Sequence, residues 1–336
     1  MTKVGIIGAG AWGTALASVA HSAGCDVLIQ AHEPDVAEAI NTQHENTVFL
    51  PGVKLGPSIR ATTDASEAAQ ADAVLLVMPA QHLRTVTSSL KETWPAGVPA
   101  VICAKGMEQE TSALMSEVMA DTLPGVTPAV LSGPTFAIEV ANGLPTAVTL
   151  ACADEAVATM LCDTLGTQRF RTYRSTDIVG AQLSGAVKNV LAIACGIVEG
   201  KGLGENARAA LITRGLAEIA RLGVTMGAHA ESLMGLSGIG DLTLTCNAMQ
   251  SRNFSLGVAL GQGKALDEIL AERRAVTEGV YTASSLTNLA GRLGVDMPIC
   301  LAVDDVLNHF ADIDATIKGL LARPYGEEDP LAKNNT

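Results

Sequence analysis

The chain has 336 residues, 48% hydrophobic and 17% charged, enough to bury the cores of two domains. Its 22 Lys and Arg against 35 Asp and Glu leave a net charge of −13, and no basic stripe with interleaved aromatics offsets it, which argues against a general nucleic-acid surface. Seven scattered cysteines without C-x-x-C spacing, and six histidines without an H-x-x-x-H pair, argue against a disulfide framework or a dedicated metal site.

The N-terminus "MTKVGIIGAG" enters a strand pattern at once, with no basic n-region, apolar h-region or cleavage site, so no secretory signal is expected. Straight after this strand stand Gly8, Gly10 and Gly13, opening the small-residue helix "TALASVAHSAG". The first glycine permits a tight turn, the second lets the backbone approach a pyrophosphate, and the third allows close helix packing. This pattern points to a dinucleotide on the free N–H groups of a helix start.

The second strand ends "LIQAHEPD", with Gln30 and Ala31 where an acidic residue would mark NAD. Glu33 suits a ribose and His32 suits a 2′-phosphate, so NAD and NADP both stay open. "DAVLLVMP", "PAVICAKG", "PAVLSGP" and "PTAVTLAC" follow as short, continuous apolar runs. Such runs fit strands covered on both faces, hence a doubly wound, mostly parallel α/β domain over residues 1–178. Lys105 in "ICAKGM" falls just beyond a strand's C-terminal end, the edge where such sheets bind ligands.

From Gly180 to Val198, "GAQLSGAVKNVLAIACGIV" holds one charged residue, Lys188. The run is nearly long enough to cross a bilayer, but a lysine at mid-membrane costs about 2.5–3.5 kcal/mol. Together with Gln182, Ser184 and Asn189 it reads as a buried helix instead. Ser184, one turn before Lys188, raises a Ser–Lys nucleophilic pair as a rival chemistry, without the strained elbow that such catalysis uses.

Helical spacing continues in "NARAALITRGLAEIARLGVTMG", "SRNFSLGVALGQG" and "TASSLTNLAGRLGV", giving an all-α domain over 179–330 and a frayed tail at 331–336. Within it, Asp241 sits between a glycine-rich turn and the apolar "LTLTC", as a charge partner or an N-cap. Ser251, Arg252 and Asn253 open another helix and together suit a phosphate.

The stretches "GAGAWGTALA", "AKGMEQET", "SGPTFAIEVANGLPTA", "GAVKNVLAIACGI", "GLSGIGDLTLTC", "SRNFSLG" and "TEGVYTA" resemble, in this order, the bacterial-type NAD(P)-dependent sn-glycerol-3-phosphate dehydrogenases. The resemblance implies a Rossmann-like domain followed by a helical substrate and catalytic domain. It also implies interconversion of sn-glycerol 3-phosphate and dihydroxyacetone phosphate for glycerophospholipid synthesis.

Carried over by residue, the resemblance makes Lys188 the general acid/base, with Lys105 and Asp241 beside the reacting centre. Gly133, Thr135, Asn189, Thr245, Ser251, Arg252 and Asn253 would hold substrate. Gly8, Gly10, Ala11, Trp12, Gly13, His32, Lys105, Ala137, Arg252, Val276 and Glu278 would hold NAD or NADP, with no metal. Thr135 stands where serine is also common, and Ala80 where a hydroxyl residue is usual. A cytoplasmic homodimer with a small phosphorylated substrate is expected. The rival readings are another hydroxyacid or phospho-sugar dehydrogenase of this architecture, and a non-catalytic NAD(P)-binding sensor.

Overall fold

A computed structural model describes residues 1–273 and 276–324; the expected frayed tail, 331–336, lies outside them. The chain divides into two compact units, Met1–Ala104 with Met115–Ile178, and Lys105–Leu114 with the residues from Val179 onward. The segment that begins with Lys105 thus leaves the first unit and packs with the second.

In the first unit, continuous apolar runs become strands because both faces of the sheet are covered. β1 (Lys3–Ile7), β2 (Asp26–Gln30), β3 (Arg60–Thr62), β4 (Ala73–Leu76), β5 (Ala100–Ile102), β6 (Pro128–Ser132), β7 (Thr146–Cys152) and β8 (Phe170–Ser175) form one sheet. Their order is β3-β2-β1-β4-β5-β6-β7-β8. The strands from β3 to β6 pair in parallel, β7 runs antiparallel to β6, and β8 runs parallel to β7. The first six strands have the order of a dinucleotide-binding sheet. β4 and β5 are buried throughout, whereas the two outermost strands, "RAT" and "FRTYRS", are largely exposed or half-buried. Those two lack the apolar signal of a central strand, which is why the sequence pattern passes over them.

The turn from β1 into the helix α1 (Ala11–Ser22) depends on its glycines. Gly8 has φ +110°, a left-handed conformation, and a Cβ on Gly13 would lie 1.9 Å from the Gly8 carbonyl oxygen.

The second unit is helical. It is built on α2 (Ile178–Gly200), α3 (Glu205–Thr225), α4 (Asp241–Cys246), α5 (Arg252–Gly261), α6 (Glu278–Leu293) and α7 (Pro298–Asn308), with shorter segments between. Helix α2 is long and apolar enough to cross a membrane, yet 89% of its most apolar 18-residue window is buried inside the protein. It is the axis of this unit's core, contacting apolar residues of the surrounding helices.

Helices α2 and α5 meet without side chains between them. A Cβ on Gly196 would lie 2.1 Å from Phe254 O, and one on Gly257 would lie 2.1 Å from Ile193 O. Gly200 and Gly261 repeat the arrangement one turn on, against Val258 O at 2.3 Å and Ile197 O at 2.6 Å. Paired glycines at i and i+4 on both helices thus let the two backbones touch. All seven cysteines are free thiols.

Candidate active site

Three polar side chains of the helical unit, those of Lys105, Lys188 and Thr245, gather around one buried carboxylate, that of Asp241. Asp241 is the first residue of α4, placed there by the turn Leu236–Gly240. At Gly238 the backbone departs from helix, and a Cβ would lie 1.8 Å from Leu233 O, so the turn closes only around glycine. Gly240 occupies the N-cap position, which leaves the Asp241 carboxylate free for other partners.

Those partners are two lysines. Lys188 Nζ donates to Asp241 Oδ1 at 2.8 Å and to Thr245 Oγ1 at 2.8 Å. Lys105 Nζ donates to Asp241 Oδ2 at 2.7 Å. Thr245, one turn after Asp241, donates its hydroxyl back to the Asp241 carbonyl at 2.6 Å, so its oxygen lone pairs face the Lys188 ammonium. Lys188 is held by Asp241 and Thr245; among the described residues the Ser184 hydroxyl, buried one turn away, has no hydrogen-bond partner. The Ser–Lys pair is not made.

Burial dominates the Lys188 amine. Removal from water pushes its pKa down, Asp241 pushes it back up and Lys105 lowers it again, leaving it at about 8. Burial alone would raise the Asp241 carboxyl, but the two ammonium groups outweigh it and hold the carboxyl below its ordinary value. The cluster is therefore an ionised carboxylate between two amines, one of which, Lys188, is still mostly protonated at neutral pH but gives up its proton about two pH units earlier than an ordinary lysine.

An amide relay ties this cluster to the start of α5. Asn189 Nδ2 donates to the Lys105 carbonyl at 2.8 Å, and its Oδ1 accepts from Asn253 Nδ2 at 2.9 Å. Asn253 Oδ1 in turn accepts the Gly279 N–H at 3.0 Å. Ser251 caps α5, its Oγ accepting the Phe254 N–H at 3.2 Å. The exposed Arg252 donates from Nη1 to the Val276 carbonyl at 2.7 Å, and Glu278, the first residue of α6, is the negative charge acting on it. Arg273, absent from the sequence expectations, donates to the Arg252 carbonyl at 2.6 Å; its only sequence signal is a second arginine ahead of "VTEG".

The remaining sequence candidates lie in the sheet unit. Gly133 follows β6, where a Cβ would come within 2.9 Å of Val148 Cα, and Thr135 donates to its carbonyl at 3.3 Å. Ala137 opens the short helix Ala137–Ala141, and His32 is exposed just past β2. Ala80 is buried in a short turn after β4. Ala11 and Trp12 are the first residues of α1. The glycine loop fits a dinucleotide on three observations. A Cβ on Gly10 would meet nothing within 4 Å, α1 starts without a side-chain cap, and the buried Trp12 Nε1 has no partner among the described residues. No group of three or more His, Cys, Asp or Glu that would hold a metal ion occurs among the described residues.

Two family models match the chain. One, described as the NAD-dependent glycerol-3-phosphate dehydrogenase N-terminus, covers residues 3–158; its C-terminus counterpart covers residues 177–318. The chain is 60% identical over 326 residues to a glycerol-3-phosphate dehydrogenase [NAD(P)+] of Rhodospirillum rubrum, spanning 97% of this chain and 93% of that one. It is 56% identical to a protein of the same description from Parvibaculum lavamentivorans, covering 97% and 98%. The crystal structure of a glycerol-3-phosphate dehydrogenase from Coxiella burnetii superposes with a TM-score of 0.92 at 38% identity, over 96% of this chain and 99% of that one.

Proposed function

The chain belongs to the NAD-dependent glycerol-3-phosphate dehydrogenase family, and we propose that Lys188 is the group through which it moves the substrate's hydroxyl proton. It is an NAD(P)-dependent oxidoreductase acting on a CH–OH group, interconverting sn-glycerol 3-phosphate and dihydroxyacetone phosphate and supplying the backbone of glycerophospholipids.

The observation that carries the proton assignment is the buried Lys188 amine, at about pKa 8 between Asp241 and Thr245. An ordinary lysine, near 10.4, is too fully protonated at neutral pH to serve as a base. In oxidation neutral Lys188 takes the proton of the C2 hydroxyl; in reduction its ammonium returns one to the developing alkoxide. Asp241 orients the amine and keeps it from losing its proton altogether. Lys105, on the other carboxylate oxygen, adds a positive charge beside the reacting oxygen. Bound nicotinamide supplies the hydride to C2 in reduction and accepts it in oxidation.

Ser251, Arg252 and Asn253 receive the substrate phosphate in this reading. Arg252 supplies the charge, and Asn253 keeps one amide N–H beyond those used in the relay. Gly133 and Thr135 complete the substrate set, with Asn189 holding the Lys105 backbone. Gly8, Gly10, Ala11, Trp12, Gly13, His32, Lys105, Ala137, Arg252, Val276 and Glu278 serve the dinucleotide in this reading. Residues 1–178 then act as the dinucleotide-binding domain and 179–330 as the catalytic domain, with Lys105–Leu114 packing with the second unit. The chain works as a homodimer in the cytoplasm, where seven free thiols stay reduced.

The test mixes the protein with dihydroxyacetone phosphate and NADH or NADPH and follows the reduced nicotinamide absorbance. Substrate-dependent loss is expected with at least one cofactor, and none with either would overturn the reading. The ratio of kcat/KM for the two cofactors then gives the preference, and sedimentation gives the oligomeric state.

A further inference from the structure

Two arginines meet at the start of α5, Arg252 on the helix and Arg273 against it from beyond the helix Leu266–Ala271, and their hydrogen bonds among the described residues go to neutral groups. Arg252 Nη1 donates to the Val276 carbonyl at 2.7 Å. Arg273 Nη1 donates to the Arg252 carbonyl at 2.6 Å, and its Nη2 donates to Ser255 Oγ at 3.1 Å. Ser255, in turn, donates to the same Arg252 carbonyl at 3.2 Å. Each arginine therefore grips the segment that carries the other, since Val276 lies three residues beyond Arg273.

We propose that Arg273 is a positioning residue for phosphate recognition, fixing the first turn of α5 behind Arg252 and adding a second positive charge for a dianionic phosphate. The proposal rests on the reading of Arg252 as the phosphate ligand. An arginine on a free, flexible stem loses rotamer freedom when it binds, whereas one whose backbone and tip are already tied loses less. The geometry also keeps like charges together. Burial, and then the neighbouring Arg252 charge, hold the Arg273 guanidinium below its ordinary value. Opposing charges are present on each side: Glu278 acts on Arg252, while Glu272 acts on Arg273 and is itself paired with Lys264 at 3.7 Å. Two cations held close by backbone carbonyls repel each other until a dianion arrives to satisfy both, which favours a doubly charged ligand.

The test compares wild type, Arg273→Gln and Arg273→Lys at saturating reduced cofactor. Arg273→Gln is expected to raise the KM for dihydroxyacetone phosphate about tenfold, the weight of one charge-assisted hydrogen bond. Its kcat should change much less, and turnover of dihydroxyacetone, which has no phosphate, should follow kcat and not KM. Arg273→Lys keeps the charge without the fork, so it should recover part of the loss. An unchanged KM, or an equal fall for both substrates, would overturn the assignment. Calorimetric titration with inorganic phosphate gives a readout that needs no turnover, and Arg273→Gln should bind it about tenfold more weakly. Equal phosphate affinity in wild type and variant overturns the role of Arg273, even if the dehydrogenase reading fails its own assay. If Arg273→Gln does not fold, Arg273→Lys carries the same titration.

Discussion

Asp241 and Glu218, each 1% exposed in the helical unit, show how differently two buried carboxylates are held. Asp241 accepts from the ammonium groups of Lys105 and Lys188. Glu218, on α3, accepts the backbone N–H of Ile299 at 2.7 Å and of Cys300 at 3.1 Å, where α7 begins. Burial raises the pKa of both. At Asp241 the two ammonium charges outweigh it, whereas at Glu218 the N–H bonds and Arg221 offset only part, leaving it at about 7. At Glu218 two backbone donors orient the carboxylate without cancelling the effect of burial, whereas at Asp241 two adjacent ammonium groups more than cancel it.

The harshest way to break this contrast is Asp241→Asn, which takes the carboxylate charge away from the buried Lys188 amine and the half-buried Lys105. Loss of about 3–5 kcal/mol of stability in urea melts is expected, with a fall in kcat of about 10³-fold. Lys188→Ala removes the proposed proton-transfer group and keeps the Lys105 pair. Its kcat should fall by at least about 10²-fold, with a smaller loss of stability. Near-normal turnover in Lys188→Ala would take that residue out of the mechanism.

The pH dependence sharpens the comparison. On the proposed role of Lys188, oxidation draws on its neutral form, so the rate should rise with pH through about 8, while reduction should decline over the same range. Because Asp241 raises the Lys188 value, weakening that carboxylate should move both limbs to lower pH. For stability, a lysine lowered from 10.5 to about 8 destabilises the fold below about 8, and that cost is relieved as pH climbs toward 10.5.

The smallest expected effect is at Glu218. Its folded value of about 7 exceeds the ordinary 4.5, so the native state binds more protons between them. Stability should therefore fall as pH rises from 4.5 to about 7, and Glu218→Gln should flatten that slope in thermal melts. A slope that persists in Glu218→Gln would assign it to another group.

How much of this is legible in sequence depends on what kind of signal each element carries. Central strands such as "DAVLLVMP" are visible because full burial demands an unbroken apolar run. The edge strands β3 and β8 are not, because one open side lets polar residues in. Lys188 is conspicuous as the lone charge in α2, and the glycine turn before Asp241 marks a constrained backbone. That these two meet at 2.8 Å, with Lys105 on the other oxygen, depends on contacts between residues 53 and 136 positions apart in sequence. The Asn189–Asn253 relay and the grip of Arg273 are similarly long-range. No local pattern encodes them, since amides and arginines are ordinary residues at a helix surface.

The glycine seam between α2 and α5 acts as a ruler. Helix pairs separated by side chains can shift as those side chains repack, but Gly196, Gly200, Gly257 and Gly261 leave only backbone in contact. Their spacing is therefore a length fixed by atomic radii and insensitive to rotamers. Lys188 stands on one helix of that pair and Arg252 begins the other. On the proposed roles of Lys188 and Arg252, a substrate engaging both is gauged against a distance that repacking elsewhere in the unit leaves unchanged.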